Sequence, residues 1–239
     1  MSGDWRLFQQ RRGHRWSLDD LVTAWIATRG VRHDARVLDL GCGLGSVLLL
    51  VAWKLPRADV TGIEAQPDRA ALGRRSIAYN GVDDRCRIHD GDLRAALPAG
   101  PFDLVTGTPP YFPRGTGTES TKPHALPCRF ELRGGVEDYL AAAATVVAPG
   151  GTICVCTSAL ERDRVRATPL PWREHWAIVP RAGKPPLIDV DVFGPPNDAA
   201  DGPPAQHELV VRDRDGQWTP AFRAVRDAMG MPSTVASRL

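Results

Sequence analysis

The sequence predicts an α/β fold in which a mostly parallel β-sheet lies between layers of helices. The first observation is an alternation of short apolar runs, typical of buried strands, with helical patterns. The second is their spacing, which suits right-handed βαβ units. The third is composition, because 239 residues of which 43% are hydrophobic and 24% charged are typical of one globular domain with its own core.

The first half of the chain predicts strands and helices in alternation. Ser17 is a suitable N-cap for a helix over 18–27, and Pro67 suits the first turn of a helix over 67–80. The other elements expected in this half are the strands 36–40, 59–64, 86–89 and 102–106 and the helix 46–55. The second half predicts a helix over 137–148 and the strands 152–157, 176–179, 187–193 and 208–211. Residues 113–127 lack periodicity and are interpreted as a long loop.

Composition argues against several classes of protein. Five cysteines without a C-x-x-C pair predict neither a disulfide framework nor a zinc site, and no metal spacing of histidines is seen. The longest apolar run, 47–53, is too short for a membrane span. The polar and charged first residues do not resemble a secretory signal, so we expect a cytoplasmic protein without a membrane partner.

The formal charge of +2 is small but uneven along the chain. Residues 1–36 carry seven arginines against four aspartates, whereas the rest of the chain is nearly balanced. Arginine richness alone is weak evidence for nucleic-acid binding. The front segment is nevertheless the basic part of the molecule.

A glycine-rich turn follows the first predicted strand. Asp39 lies in that strand, and Gly41, Gly43 and Gly45 follow it in a G-x-G-x-G pattern that leads into a helix. This arrangement is typical of nucleotide binding. Ser46 occupies the position of the third glycine in dinucleotide binders. The spacing therefore favours a ligand without a pyrophosphate at the helix N-terminus.

Two carboxylates follow the next strands. Glu64 ends the second strand, where it could accept hydrogen bonds from both ribose hydroxyls or cap the following helix. Asp92, with Leu93 beside it, could accept from an adenine exocyclic amine or serve only as a turn residue. A nucleoside ligand would use both carboxylates.

Taken together, residues 39–45, Glu64, Asp92 and the turn Pro149-Gly150-Gly151 resemble the class I S-adenosylmethionine-dependent methyltransferases. The resemblance implies a Rossmann-like fold with a seven-stranded sheet, one reversed terminal strand, and S-adenosylmethionine over the carboxyl ends of the first strands. It also implies that the glycine turn faces the methionine and ribose, Glu64 the ribose, and Asp92 the adenine.

The fourth strand ends at Thr108-Pro109-Pro110-Tyr111, followed by Phe112. This turn resembles the Asn-Pro-Pro-Tyr or Asp-Pro-Pro-Tyr turn of amino-methyltransferases in all but its first residue. An exocyclic amine is a poor nucleophile, so the resemblance implies that a side-chain oxygen and the next carbonyl accept its two hydrogens, while Tyr111 stacks on the base. Proline stiffens such a turn. Thr108 leaves three outcomes open: retained catalysis, a changed nucleophile, or lost activity.

Residues 10–20 resemble the N-terminal motif of the bacterial methyltransferases that modify N6 of adenine 37 in a valine tRNA. The resemblance implies that Asp19 lies near the methionine end of the cofactor, although it could simply cap its helix. It also implies that Arg15, Arg129 and Lys184 contact tRNA phosphates, although such cations are often only solvated. His14 and Trp218 depart from the family pattern.

The sequence thus predicts an N-terminal basic helical segment, 1–36, that covers the cofactor site, and a class I methyltransferase domain, 37–239. The leading hypothesis is an S-adenosylmethionine-dependent N-methyltransferase acting on an adenine N6 in tRNA. Two alternatives stay open: methylation of a small molecule or protein side chain, and a non-catalytic cofactor-binding or RNA-binding module.

Overall fold

The computed structural model describes residues 1–11, 15–111, 134–199 and 202–232. The helices of the described chain are α1 (Leu18–Ala27), α2 (Ser46–Lys54), α3 (Pro67–Tyr79), α4 (Val136–Val146), α5 (Arg162–Arg166) and α6 (Pro220–Ala228). The strands are β1 (Arg36–Leu40), β2 (Asp59–Glu64), β3 (Cys86–Asp90), β4 (Phe102–Gly107), β5 (Val147–Ser158), β6 (Trp172–Val179), β7 (Ile188–Phe193) and β8 (Ala205–Val210). The loop predicted over 113–127 lies outside the described residues.

The strands form one eight-stranded sheet in the order β3-β2-β1-β4-β5-β7-β6-β8. The α/β class is confirmed, but the expected count of seven strands is wrong. The reversed strand, β7, lies between β5 and β6 and is antiparallel to both, while every other pairing is parallel. The additional strand β8 pairs with β6 and covers an edge that would otherwise present unpaired backbone groups.

Helices cover both faces of the sheet because its strands alternate between two apolar cores. Val37 and Leu104 belong to the core shared with α1, α2, α3 and α6, whereas their neighbours Leu38 and Val105 belong to the core shared with α4 and α5. All four side chains are fully buried. This two-sided burial explains why the strands appear as continuous apolar runs in the sequence.

The N-terminal segment belongs to the same folded unit as the sheet. The N–H of Arg6 donates to Asn80 Oδ1 at 2.8 Å, and the N–H of Phe8 donates to Ser76 Oγ at 2.9 Å, so residues 1–11 lie against the end of α3. Farther along, α1 has the bounds predicted for it, with Ser17 as its N-cap. The segment therefore delivers its helix to the carboxyl edge of the sheet.

The parallel arrangement brings the loops that follow β1, β2, β3 and β4 to one edge of the sheet. These loops carry the glycine turn, Glu64, Asp92 and Thr108, which are far apart in the sequence. Ligands of open α/β sheets bind in the crevice outside the carboxyl ends of the strands. Among the described helices, none is long and apolar enough to cross a membrane.

Candidate active site

A cleft opens at the carboxyl edge of the sheet, above β1, β2 and β4. Seven residues singled out in the sequence line it: Gly41, Gly43, Glu64, Asp92, Leu93, Thr108 and Pro110. Further lining side chains come from Trp16, Asp20, Ser46, Ile63, Gln66, Arg69 and Tyr139. Groups predicted to bind the cofactor and groups predicted to bind the acceptor thus share one cleft.

The glycine turn has a left-handed backbone conformation, and at Gly41 it also leaves no space for a side chain. Gly41 has a φ of +57°, and a Cβ there would lie 2.1 Å from the Tyr139 hydroxyl oxygen. Gly43 also has a φ of +57°, a conformation that glycine adopts without strain. The turn therefore presents bare backbone to the cleft.

Glu64 is held by backbone amides on both sides. Its Oε2 accepts from the N–H of Gly43 at 2.8 Å, and its Oε1 accepts from the N–H of Gln66 at 2.8 Å. The side chain is buried yet still lines the cleft. Because each carboxylate oxygen can accept more than one hydrogen bond, the oriented carboxylate can also accept from a ligand diol.

Asp39 and Gly45 contribute to the turn without lining the cleft. The Asp39 side chain is buried, and its Oδ1 accepts from the Thr106 hydroxyl at 2.8 Å. Burial raises the pKa of Asp39 to about 7, and the Thr106 hydrogen bond opposes that shift. Gly45 is the N-cap of α2 with a φ of +81°. Both residues fix the shape of the turn from outside the ligand space.

Asp92 lies in the cleft as an ion pair. Its Oδ1 accepts from Arg94 Nε at 2.9 Å, and its Oδ2 accepts from Arg94 Nη2 at 2.6 Å. Leu93 lies beside it in the cleft wall, and Ile63 adds a second apolar side chain. This part of the cleft offers apolar flanks and one carboxylate, which suits a purine ring with an exocyclic amine.

The two neighbouring aspartates of α1 have different positions. Asp20 lines the cleft and is buried, its Oδ1 accepting from the Ser46 hydroxyl at 2.7 Å and its Oδ2 from the Ser17 N–H at 2.8 Å. Burial, together with the charge of Asp19, raises the pKa of Asp20 to about 7. Asp19, which the sequence placed at the cofactor, instead accepts a hydrogen bond from the Tyr111 hydroxyl at 2.7 Å.

Some residues of the turn after β4 line the cleft, whereas Tyr111 packs against the core. Thr108 and Pro110 line the cleft, and Pro109 is buried between them. Tyr111, expected to stack on a base, packs against the core, with its hydroxyl oxygen 3.5 Å from Cys156 Sγ in addition to its bond to Asp19. The first part of the turn therefore faces the cleft, while Tyr111 points toward α1.

The residues expected to contact a nucleic acid are spread over the molecule. Arg15 is exposed just before α1, and Lys184 is exposed in the β6–β7 turn. Phe112 and Arg129 lie outside the described residues. Within the part of the chain that the structure describes, no cluster of three histidine, cysteine or acidic side chains could hold a metal ion.

Comparison with known proteins agrees with this geometry. Residues 37–113 match a family model described as a methyltransferase domain. The match covers about a third of the chain, which is similar to methyltransferase domains over that part. A predicted O-methyltransferase from Agrobacterium tumefaciens superposes with a TM-score of 0.67 at 18% identity over 90% of this chain and 98% of that one. TrmN from Thermus thermophilus superposes with a TM-score of 0.51 at 20% identity, over 73% of this chain and 48% of that one. These likenesses show that the chain has the same Rossmann-like α/β fold as those two proteins.

A curated protein is more similar to this chain in sequence than these two structures are. The tRNA1(Val) (adenine(37)-N6)-methyltransferase of Yersinia pestis is 32% identical over 116 residues, which are 47% of this chain. The aligned part is 42% of that protein, so the chain spans about two fifths of the length of the curated relatives it matches.

Several cleft residues had no signal in the sequence that pointed to a functional role. Tyr139 belongs to α4 and reaches the glycine turn only through tertiary packing. Asp20 had the signal of a capping box, Ser17 to Asp20, and this pattern predicts a structural role rather than a place in a cleft. Trp16 lies within the motif of residues 10–20 but was given no role there, while Gln66 and Arg69 match no pattern.

Proposed function

We propose that the chain is an S-adenosylmethionine-dependent N-methyltransferase whose acceptor is the N6 amine of an adenine in tRNA. One observation carries the proposal: a single cleft contains Glu64, oriented by two backbone amides, together with Thr108 and Pro110 of the amino-methyltransferase-like turn. Methyl transfer from a nucleoside cofactor to an amine requires a carboxylate that binds the ribose diol and a turn that binds the amine. Both must lie in the same cleft.

The cleft fits the cofactor in charge and in shape. Bare backbone at Gly41 and Gly43 leaves room for a ligand, and the Glu64 carboxylate suits the ribose hydroxyls. Asp92 and Leu93 suit the adenine, while Asp20 offers a carboxylate at the α1 side of the cleft. When bound, S-adenosylmethionine supplies a methyl group activated by a positively charged sulfur.

The residues after β4 provide the acceptor side of the reaction. The Thr108 hydroxyl oxygen and the Pro109 carbonyl oxygen accept the two hydrogens of the amine, which turns the nitrogen lone pair toward the cofactor side of the cleft. Trp16 and Pro110 narrow the cleft and help to exclude water. Catalysis then depends on holding the two reactants in line. Correct orientation can lower the activation free energy by about 7–11 kcal/mol relative to reactants that meet freely in solution.

A tRNA substrate is supported by the activity for which the curated relatives are named and by the resemblance of residues 10–20 to the N-terminal motif. An RNA substrate also suits the basic N-terminal segment, whose Trp16 reaches the cleft. With a tRNA substrate, the protein would act in the cytoplasm.

Methyl transfer from labelled cofactor to unmodified tRNA, followed by mass spectrometry of the nucleosides, tests the proposal. N6-methyladenosine is the expected product. A Thr108→Val variant keeps the side-chain shape without the hydroxyl, so it should bind the cofactor normally but turn over about 100-fold more slowly, the scale of deleting one positioned hydrogen-bonding group. A labelled product other than N6-methyladenosine, or no label in RNA, would contradict the proposed acceptor.

Thr108 itself favours a second candidate function, methylation of a small molecule or protein side chain. A hydroxyl is shorter than an amide and also carries a donor, so it suits acceptors other than an adenine amine. Label transferred in a cell extract that survives ribonuclease treatment would support this candidate. Turnover on any acceptor would exclude a non-catalytic binding module.

A further inference from the structure

We propose that two turns distant from the cleft, carrying Arg181, Lys184, Arg212 and Arg214, form a docking surface for the phosphate backbone of the RNA substrate. We call these four side chains the distal cationic surface. The inference rests on the proposed function, since it concerns how an RNA acceptor is held while its target base enters the cleft.

The four side chains form one surface because their turns are joined. The N–H of Ala182 in the β6–β7 turn donates to the carbonyl of Arg212 at 2.8 Å. Arg181 Nη2 would lie 3.3 Å from a Cβ added at Gly216, so its guanidinium reaches the second turn. Arg212 in turn donates from Nη1 to the carbonyl of Gly216 at 2.6 Å. The turns therefore present their cations side by side.

Local contacts keep this surface ordered. Asp213 Oδ1 accepts from the N–H groups of Asp215 at 3.0 Å and Gln217 at 2.8 Å, which folds the second turn on itself. Trp218 closes that turn, with the Arg212 guanidinium 5.9 Å and the Arg226 guanidinium 3.8 Å from its ring centre. A surface ordered in advance loses less conformational freedom on binding.

The charges of the distal cationic surface are available to a ligand. Several arginines elsewhere are neutralised by carboxylates, such as Arg74 by Asp90 at 2.7 Å and Arg162 by Asp189 at 2.7 Å. Among the described residues, no carboxylate lies within ion-pair distance of the four surface cations, and all four side chains are exposed. The two turns together carry these four cations and two aspartates.

Position makes the surface useful to a methyltransferase with a polynucleotide substrate. The turns follow β6 and β8, which run parallel to β4, so they lie at the same edge of the sheet as Thr108. In the strand order, β6 is three strands and β8 four strands from β4. With neighbouring strands about 4.8 Å apart, the surface lies about 14–19 Å from the cleft, within reach of a few nucleotides. Phosphate contacts at such a distance position a substrate without reading its bases.

Binding of unmodified tRNA, measured by fluorescence anisotropy over a range of salt concentrations, tests the inference. The variant Arg181→Ala/Lys184→Ala should weaken binding about tenfold and lower the slope of log K against log salt by about 1.5, as expected from losing two phosphate contacts. The matched control is Arg32→Ala/Arg57→Ala, because both arginines are exposed in loops that precede β1 and β2 at the opposite edge. This control should bind tRNA like the parent protein.

The outcomes separate the inference from the proposed function. Equal tRNA affinity and salt slope in both double variants would overturn the distal cationic surface while leaving the proposed function intact. If the parent protein binds S-adenosylmethionine but no tRNA, the RNA acceptor itself is wrong, and the inference is wrong with it. Unchanged cofactor affinity, measured by calorimetry, confirms in each variant that the fold is preserved.

Discussion

Glu64 and Asp92, two carboxylates of the cleft, are held in place by different kinds of partner. Glu64 is held by the N–H groups of Gly43 and Gln66, which belong to the backbone and stay in place when a ligand arrives. Asp92 is paired with Arg94, whose charged group is exposed and can move into solvent. An exposed pair of this kind contributes little to stability, so sharing Asp92 with a ligand amine costs little. Glu64 is therefore the fixed anchor of the cleft.

Asp20 should make cofactor affinity depend on pH. Burial raises its pKa to about 7, so the carboxyl gains its negative charge as the pH rises through neutrality. S-adenosylmethionine carries positive charge, and its affinity should therefore increase by up to about tenfold between pH 6 and pH 8. Calorimetry at the two pH values measures this change. An Asp20→Asn variant should reduce the pH dependence to the part contributed by Asp39, whose pKa is also about 7. An undiminished dependence in that variant would assign it to another group.

At the scale of elements, a buried polar network joins the reversed strand to its neighbours. Asp189 and Asp191 of β7 are 0% and 1% exposed. Asp189 accepts two hydrogen bonds from Arg162 of α5, at 2.7 and 2.9 Å, while Asp191 Oδ1 lies 2.8 Å from His175 Nδ1 of β6. Burial raises the pKa of Asp191, and His175 opposes that shift. The network ties β7 to the helix after β5 and to β6.

Removing the cation from this network should destabilise the fold. An Arg162→Met variant leaves Asp189 buried without its ion pair, and the free energy of unfolding should fall by about 3 kcal/mol. Urea unfolding measures the loss. The control is Arg166→Met, since the exposed Arg166 is 3.8 Å from an Asp163 that is 98% exposed, and this variant should change the free energy by less than about 0.5 kcal/mol. Equal losses in both variants would show that the network contributes nothing specific.

At the scale of the whole molecule, the N-terminal segment links distant parts of the chain. The N–H of Gly3 donates to the carbonyl of Gly230 at 2.8 Å, just after α6, and Asn80 exchanges two hydrogen bonds with the backbone of Arg6. The same segment then delivers Trp16 to the cleft. The cleft is thus bordered on one side by a segment that is held in place at α3 and near α6.

An Asn80→Ala variant tests how firmly the segment is held. It removes both side-chain bonds to Arg6, each contributing about 1 kcal/mol, and should lower the Tm by about 4–8 °C. Differential scanning calorimetry measures the shift. Asn197→Ala is the control, because this asparagine lies exposed in the loop after β7 and should leave the Tm unchanged. A Tm equal to that of the control would mean that the segment adds no stability through these bonds.

Much of this architecture follows from patterns that are local in the sequence. Alternating strands and helices imply that Glu64 and Thr108 meet at one edge, because parallel strands end on the same side of a sheet. Adjacent helical residues point in different directions, so the pattern could not tell whether Asp19 or Asp20 enters the cleft. The partners of Tyr111 and Asp189 are 92 and 27 residues away, and nothing local in the sequence specifies such pairs.

In the proposed function, the cleft binds S-adenosylmethionine through Glu64. Isothermal titration of the cofactor into the parent protein and into a Glu64→Ala variant measures this, with circular dichroism to confirm that both are folded. We predict saturable binding to the parent protein and no measurable binding to the variant. Equal affinity in the two folded proteins would contradict the assignment of the cleft.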